Sequence, residues 1–179
     1  MTALAFTQAT FATVIRVPND YPSIQMAINA AVDGDEVVVS PGTWTNTPPI
    51  SIAQNIILRS VDPTNQSVVA ATILTSDGNV GPGIMLYTTN CVISGLTITG
   101  FTQSGTDNGG AIDGNGSTAT IQYCRIVGNS VERTAGTAAS GGGVAFLNGV
   151  IRNNLISSNL AYEGGGGAGL YLCTGVITI

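Results

Sequence analysis

Near the start of the chain, apolar residues recur with the period of an α-helix. The stripe follows the i, i+3, i+4, i+7 spacing of one helix face and consists of Ile24, Ala27, Ile28 and Ala31. Ser23 suits an N-cap position, and the turn residues Asp33-Gly34-Asp35 end the pattern. Strand-like runs flank this helix on both sides. We therefore expect it to lie across the open end of a sheet stack and to cover unpaired backbone there.

The later apolar runs are short and show no helical period, which predicts strands. In the first half they are Ile50 with Ile52, Ile56–Leu58, Val68–Leu74 and Ile84–Tyr87.

The second half of the chain contains a repeat. The segments VISGLTITG, TIQYCRIVG and VIRNNLISS begin at Val92, Thr120 and Val150 and share one pattern. Their first isoleucines are offset by 121 − 93 = 28 and 151 − 121 = 30 residues, and the closing VITI adds 177 − 151 = 26. The aligned columns are Ile93, Ile121, Ile151 and Ile177; Leu96, Cys124 and Asn154; Ile98, Ile126 and Ile156.

Glycine-rich blocks form a second repeated element between these segments. NGGAI, SGGGVAF and GGGGAGLYL begin at Asn108, Ser140 and Gly164, and in each the glycines precede apolar residues. Several short strands per period, stacked in parallel, predict a solenoid of about five coils. An antiparallel sandwich would explain the short strands but not the recurring Ile-x-x-x-x-Ile pattern. The predicted class is all-β, a right-handed parallel β-helix with a short N-terminal capping helix and no evident C-terminal cap.

This fold divides the chain into three parts. Residues 1–12 are interpreted as a remnant of an export signal or an extra strand, and residues 13–44 as the N-terminal cap. Residues 45–179 form the coils, and we expect this part to be truncated at its C-terminal end.

Composition excludes several function classes. Charged residues are 8% of the chain, the net charge is −5, and both histidine and lysine are absent. Scattered arginines do not suit nucleic acid or anionic membranes, and no apolar run approaches the roughly 18 residues of a membrane span. Mechanisms that need an imidazole base are excluded. The three cysteines, Cys91, Cys124 and Cys173, allow at most one internal disulfide, and we interpret them as small apolar packing residues.

Two segments carry a resemblance to a known family. YPSIQMAINAAVDGDEVVVSPGTW, from Tyr21 to Trp44, is similar to the first segment of pectin-lyase-like parallel β-helix proteins, in which a short helix caps the first coil. NIILRSVDPTNQSVVAATIL, from Asn55 to Leu74, resembles the next coils of bacterial repeat proteins of that superfamily, and the glycine blocks resemble repeats of polymorphic outer-membrane proteins. The resemblance implies the fold and a location outside the cell or on its surface. It does not specify a function, because this superfamily contains enzymes, adhesins and binding modules.

The catalytic motifs of this superfamily are not found in the sequence. Lyases would show several acidic calcium ligands on one sheet, and here no acid recurs at one register of the repeated strands. The Gly-His-Gly and Arg-Ile-Lys elements of the hydrolases require residue types that the chain does not contain. We therefore predict no catalytic residues in this stretch and no cofactor.

Calcium is the one ion that the residue pattern leaves open. Asp113, Asn115 and Ser117 have the one-three-five spacing of a calcium loop, but Thr118 and Cys124 occupy the glycine and glutamate positions, so a plain turn is favoured. A helix-ending turn is likewise favoured over a cation site for Asp33, Asp35 and Glu36. Arg125 and Arg152 are interpreted as outward-facing, solvated side chains.

The long loops that follow the repeated strands predict a binding surface. Loops at the same coil position stack on one side of a solenoid, and an aromatic ring with amides and acids suits a carbohydrate. The predicted binding residues are Gln103, Asp107, Asn108, Asn129, Glu132, Arg133, Asn159, Tyr162 and Glu163. The alternative is that these are polar loop residues that only maintain solubility.

The sequence thus predicts a secreted or cell-surface module that binds a glycan or a surface protein through this loop face. A fragment of a polysaccharide lyase or hydrolase is the first alternative. The second is a structural element that stacks end to end, as a homo-oligomer, through its open C-terminal coil.

Overall fold

A computed structural model of the chain describes residues 12–46, 49–78, 80–105, 109–133, 140–162 and 167–178. Strands account for 43% of the structure and helices for 9%, and parallel sheets stack as a β-solenoid of about 4 turns. The predicted all-β solenoid is therefore confirmed. The segment interpreted as a signal remnant, residues 1–12, lies outside the described residues except for Ala12.

The first half of the solenoid contains both helices. Its elements are β1 (Val14–Val17), α1 (Ile24–Ala30), β2 (Glu36–Val39), β3 (Gly42–Asn46), β4 (Ile50–Ile52), β5 (Ile57–Ser60), α2 (Gln66–Ala71), β6 (Thr72–Ser76) and β7 (Ile84–Leu86).

The second half consists of short strands. They are β8 (Val92–Ser94), β9 (Thr97–Thr99), β10 (Thr102–Gly105), β11 (Ile112–Asp113), β12 (Thr120–Gln122), β13 (Arg125–Val127), β14 (Ser130–Arg133), β15 (Val144–Ala145), β16 (Val150–Arg152), β17 (Leu155–Ser157), β18 (Leu160–Ala161), β19 (Leu170–Tyr171) and β20 (Val176–Thr178).

The described strands form four parallel sheets that run along the solenoid axis. The seven-stranded sheet has the order β1-β2-β5-β8-β12-β16-β20, and the three-stranded sheet has the order β10-β14-β18. The two 5-stranded sheets are β17-β13-β9-β6-β3, called the β3 sheet, and β19-β15-β11-β7-β4, called the β4 sheet. Neighbouring strands in every sheet come from successive coils, so that side chains about 20 to 35 residues apart stack on one another.

The predicted isoleucine columns occupy the registers that their spacing indicated. Ile121 pairs with Ile93 on one side and with Ile151 on the other, and Ile151 pairs with Ile177. Ile126 pairs with Ile98 and Ile156 in the same way. The glycine blocks also lead into strands, because Val144 of β15 pairs with Ile112 and Leu170. These columns fill the interior: Ile93 and Ile121 are fully buried, and Ile151 is 1% exposed.

The N-terminal helix covers the first coil, as the sequence predicted. The hydroxyl of Ser23 accepts a hydrogen bond from the backbone N–H of Met26 at 3.3 Å, which caps α1. The apolar stripe faces β1, β2 and β4, and Ile24, Ala27 and Ile28 are at most 1% exposed. Burial of these side chains supplies most of the stability of a helix this short.

One strand prediction is wrong in part. The apolar run Val68–Leu74 begins as α2 (Gln66–Ala71) and only continues as strand from Thr72. The side chain of Asn65 accepts hydrogen bonds from the N–H groups of Ser67 and Val68, which starts the helix. A helix of six residues has too few turns to show a period, and Val69 is its only buried residue. The predicted helix was therefore not the only one.

Candidate functional site

The predicted loop face begins with the three-stranded sheet. The three long connections begin with the strands β10, β14 and β18. These strands stack in register, with Thr102 opposite Ser130 and Ser130 opposite Leu160. The backbone N–H of Tyr162 donates to the carbonyl of Val131 at 2.9 Å and so continues this register one residue further. The strands at the start of these connections therefore lie on one side of the solenoid.

A corner turn that is repeated in each coil sets the direction of these strands. Gly100, Gly128 and Ser158 occupy the same place before the sheet, with φ of 73°, 66° and 55°. This left-handed conformation turns the chain sharply from the β3 sheet into the three-stranded sheet. The residue after it, Asn129 in the middle coil, is 1% exposed and therefore points into the solenoid.

The corner is held by a ladder of side-chain amides. Asn129 accepts a hydrogen bond from the N–H of Phe101 at 3.2 Å and donates one to the carbonyl of Ile98 at 3.0 Å. It also donates to Oδ1 of Asn159 at 3.0 Å, and Asn159 donates to the carbonyl of Ile126 at 2.8 Å. Amides at this position thus satisfy backbone groups of the neighbouring coil, which is a structural role.

The outer face of the three-stranded sheet follows from strand alternation. Gln103 and Val131 point inward, whereas Ser104, Glu132 and Tyr162 are exposed. Tyr162 is 49% exposed, which leaves much of its ring accessible. The outer face presents Thr102, Ser104, Ser130, Glu132, Leu160 and Tyr162, and this set is called the outer face below.

The structure separates the nine predicted binding residues. Glu132 and Tyr162 lie on the outer face, and Arg133 is the last residue of β14. A surface position for Gln103 and Asn129 is wrong, since they are 4% and 1% exposed. The partly buried Asn159 is engaged in the corner ladder. The other three predicted residues, Asp107, Asn108 and Glu163, lie outside the described residues.

Sequence reasoning also missed part of the outer face. The hydroxyl groups of Thr102 and Ser130 lie 3.0 Å apart, and Ser104 is exposed beside them. The alternation of polar and apolar residues in the segment after each corner could have indicated these outward positions. An asparagine repeated at the same coil position, directly after a turn residue, likewise indicated a ladder rather than a surface site.

The N-terminal acidic residues each serve a different structural contact. Asp33 accepts hydrogen bonds from the backbone N–H and side-chain amide of Asn55 at 2.9 and 3.1 Å. Asp35 accepts from the N–H groups of Val32 and Thr13 at 2.9 and 2.7 Å, and these bonds hold the pKa of its carboxyl below the usual value. Glu36 forms an ion pair with Arg59 at 2.7 Å. Asp35 therefore ties the turn that ends α1, whereas Asp33 and Glu36 bond to Asn55 and Arg59 of the next coil.

The loop with calcium-like spacing also makes local hydrogen bonds. The carboxylate of Asp113 accepts from the N–H of Asn115 at 3.0 Å, and the hydroxyl of Ser117 accepts from the N–H of Ala119 at 3.1 Å. These bonds are typical of a turn. Across the described ranges, no three His, Cys, Asp or Glu side chains are grouped so as to hold a metal ion.

The three cysteines are free thiols, and Cys91 and Cys124 are buried. Burial raises the pKa of the Cys91 thiol to about 12 and that of Cys124 to about 11. The pKa of Cys173 is also raised by burial. Thiols with such pKa values are poor nucleophiles at neutral pH, which fits packing residues.

The two arginines of the repeated strands differ in exposure. Arg152 is exposed and donates two hydrogen bonds to Oε1 of Gln122, at 2.9 and 2.6 Å, along the seven-stranded sheet. Arg125 is half-buried in β13 of the β3 sheet.

No family model matches the chain, and no curated protein or solved structure matches it either. Neither helix in the described part of the chain is long and apolar enough to cross a membrane. The fold and the outer face therefore carry the functional argument.

Proposed function

We propose that this chain is a non-catalytic β-helix module, related to the pectin-lyase-like superfamily, that is secreted or displayed on a bacterial cell surface. Its outer face would bind glycans, with a surface protein as the alternative ligand. The observation that carries this proposal is the column formed by Ser104, Glu132 and Tyr162, which exposes a hydroxyl, a carboxylate and an aromatic ring from three successive coils.

The chemistry of the outer face suits sugars. A ring that is 49% exposed, such as that of Tyr162, offers an apolar face to the C–H groups of a pyranose. The carboxylate of Glu132 can accept two hydrogen bonds from neighbouring sugar hydroxyls, and serine and threonine hydroxyls can donate or accept. Leu160, which is 42% exposed, extends the apolar area next to the ring.

The rigidity of the outer face also supports binding. Its side chains stand on hydrogen-bonded strands, and the ladder of Asn129 and Asn159 holds the corner before them. A surface that is already ordered loses little conformational entropy when a ligand binds.

The test is glycan-array screening followed by calorimetric titration of the strongest ligand. Tyr162→Ala should weaken binding at least about fivefold, because an aromatic contact contributes about 1 kcal/mol. Tyr87→Ala is the matched control, since Tyr87 is 56% exposed but follows a strand of the β4 sheet. Equal binding by the wild type and Tyr162→Ala, or an equal loss in both tyrosine variants, would show that the outer face is not the site.

A second candidate function is self-association through the last coil. Ile177 is 41% exposed, although its column neighbour Ile151 is 1% exposed, and Leu172 and Val176 are 57% and 61% exposed. We propose that a second copy covers this apolar surface.

Sedimentation velocity over a range of concentrations tests this second candidate. Ile177→Lys should abolish the dimer, because a charge at the contact would lose its hydration. Val14→Lys is the control, since Val14 is 39% exposed at the other end of the seven-stranded sheet. A wild type that sediments as a monomer at every concentration would eliminate this function.

A further inference from the structure

We infer that the outer face takes a neutral oligosaccharide lying along the solenoid axis, with one sugar on each coil, and discriminates against uronate chains. This inference rests on the proposed glycan-binding function and specifies its ligand class. It depends on the spacing, the charge and the hydroxyl content of the outer face.

The spacing of the column matches a sugar chain. Ser104, Glu132 and Tyr162 follow one another on adjacent parallel strands, which lie about 4.8 Å apart. A hexose unit in an extended glycan has a similar length. A chain running along the axis therefore meets one of these side chains per sugar, which makes three subsites.

The charge of the outer face opposes anionic ligands. Among its six residues, Glu132 is the one charged side chain, and it is negative. The net charge of the whole chain is −5, so the wider field is also unfavourable to polyanions. Arg59 and Arg152 belong to the seven-stranded sheet. Uronate carboxylates placed beside Glu132 would be repelled.

The outer face instead offers hydrogen-bonding hydroxyl groups and an aromatic ring to neutral sugars. The Thr102 and Ser130 hydroxyls lie 3.0 Å apart and can each exchange a hydrogen bond with a sugar hydroxyl. The ring of Tyr162 ends the column on the third coil, where it can stack against a pyranose. Hydroxyl-rich faces of this kind bind without needing a counter-charge.

The experiment compares two oligosaccharide series of matched length, cello-oligosaccharides and oligogalacturonides, by calorimetry at low ionic strength. We expect the cello-oligosaccharide with three sugars to bind about tenfold more tightly than that with two, and the galacturonides to bind at least about tenfold more weakly. Glu132→Gln should narrow the difference between the two series, since it removes the repulsion while keeping the side-chain shape. Tyr87→Ala should behave as the wild type, and circular dichroism melting should confirm that every variant is folded.

Two failures are distinguishable. If galacturonides bind as tightly as cello-oligosaccharides, and Tyr162→Ala weakens both, the outer face binds glycans but the inference of neutral ligands is overturned. If folded Tyr162→Ala changes neither series, or if no glycan binds, the proposed function itself is overturned. A preference for the neutral series that is reduced in Glu132→Gln, together with weaker binding of that series by Tyr162→Ala, supports the inference.

Discussion

Replacing Asn129 by alanine tests the division between structural and surface positions. Asn129 is 1% exposed, and its amide serves two backbone groups of the preceding coil, the N–H of Phe101 and the carbonyl of Ile98. Alanine removes the hydrogen bonds that the Asn129 amide makes to both of these backbone groups. It also leaves Oδ1 of Asn159 without one of its donors. The substitution should therefore destabilise the solenoid rather than weaken ligand binding directly.

The magnitude follows from the number of buried groups left unpaired. Each buried backbone group without a partner costs about 1–3 kcal/mol, so two give a loss of about 2–6 kcal/mol. With a urea m-value of about 2 kcal/mol/M, the unfolding midpoint should fall by about 1–3 M. Urea unfolding followed by far-ultraviolet circular dichroism measures this shift. Asn129→Asp keeps the acceptor but loses the donor, so its midpoint should also fall below that of the wild type.

Asn19→Ala is the control, because Asn19 lies in an exposed turn. Its free energy of unfolding should stay within about 0.5 kcal/mol of that of the wild type. A folded Asn129→Ala that is as stable as Asn19→Ala would refute the ladder. So would a variant of unchanged stability that binds glycan more weakly, since Asn129 would then act at the surface.

Three further predictions concern burial and charge. Ile121→Ala should lower the free energy of unfolding by about 2–5 kcal/mol, as measured with urea. Ile177 lies in the same column but is 41% exposed, so Ile177→Ala should lower it by well under half as much. Equal losses in the two variants would contradict the stack. The folded-state pKa of Asp35 is lowered, so its contribution is present above the unfolded pKa of about 3.9 and is lost as the pH falls through the folded pKa. Asp35→Asn should thus be less stable at pH 7 and lose less stability on acidification; parallel pH profiles for the two proteins would contradict this. At pH 8, iodoacetamide should leave Cys91 and Cys124 unmodified until the protein is unfolded, as read by mass spectrometry; rapid labelling of the native protein would contradict their burial.

Much of the architecture could be predicted because it depends on residue spacing. Ile93, Ile121 and Ile151 recur at nearly constant offsets, and a coil of fixed cross-section places such residues on top of one another. The helical stripe that starts at Ile24 was equally readable, since both its period and its cap lie within a few residues. By contrast, the six residues of α2 are too few to display a period, and the adjoining strand continues the same apolar run.

The candidate site was harder to predict, since polarity alone does not show on which side of a strand a residue lies. Asn129 and Glu132 are both polar and only three residues apart, yet one points into the corner ladder and the other into solvent. The left-handed turn at Gly128 sets the phase of the strand that follows, and the neighbouring coil supplies the buried backbone groups that the Asn129 amide satisfies. A shift of phase by one residue would exchange the inward and outward sets.

The sequence by itself therefore determined the parallel stack and its capping helix, because these depend on periods within one chain. Only the tertiary structure decided that Gln103 and Asn129 are interior and that Ser104, Glu132 and Tyr162 form an exposed column. The physical reason is that a polar side chain can be satisfied by water or by the backbone of another coil, and the choice depends on contacts about thirty residues away.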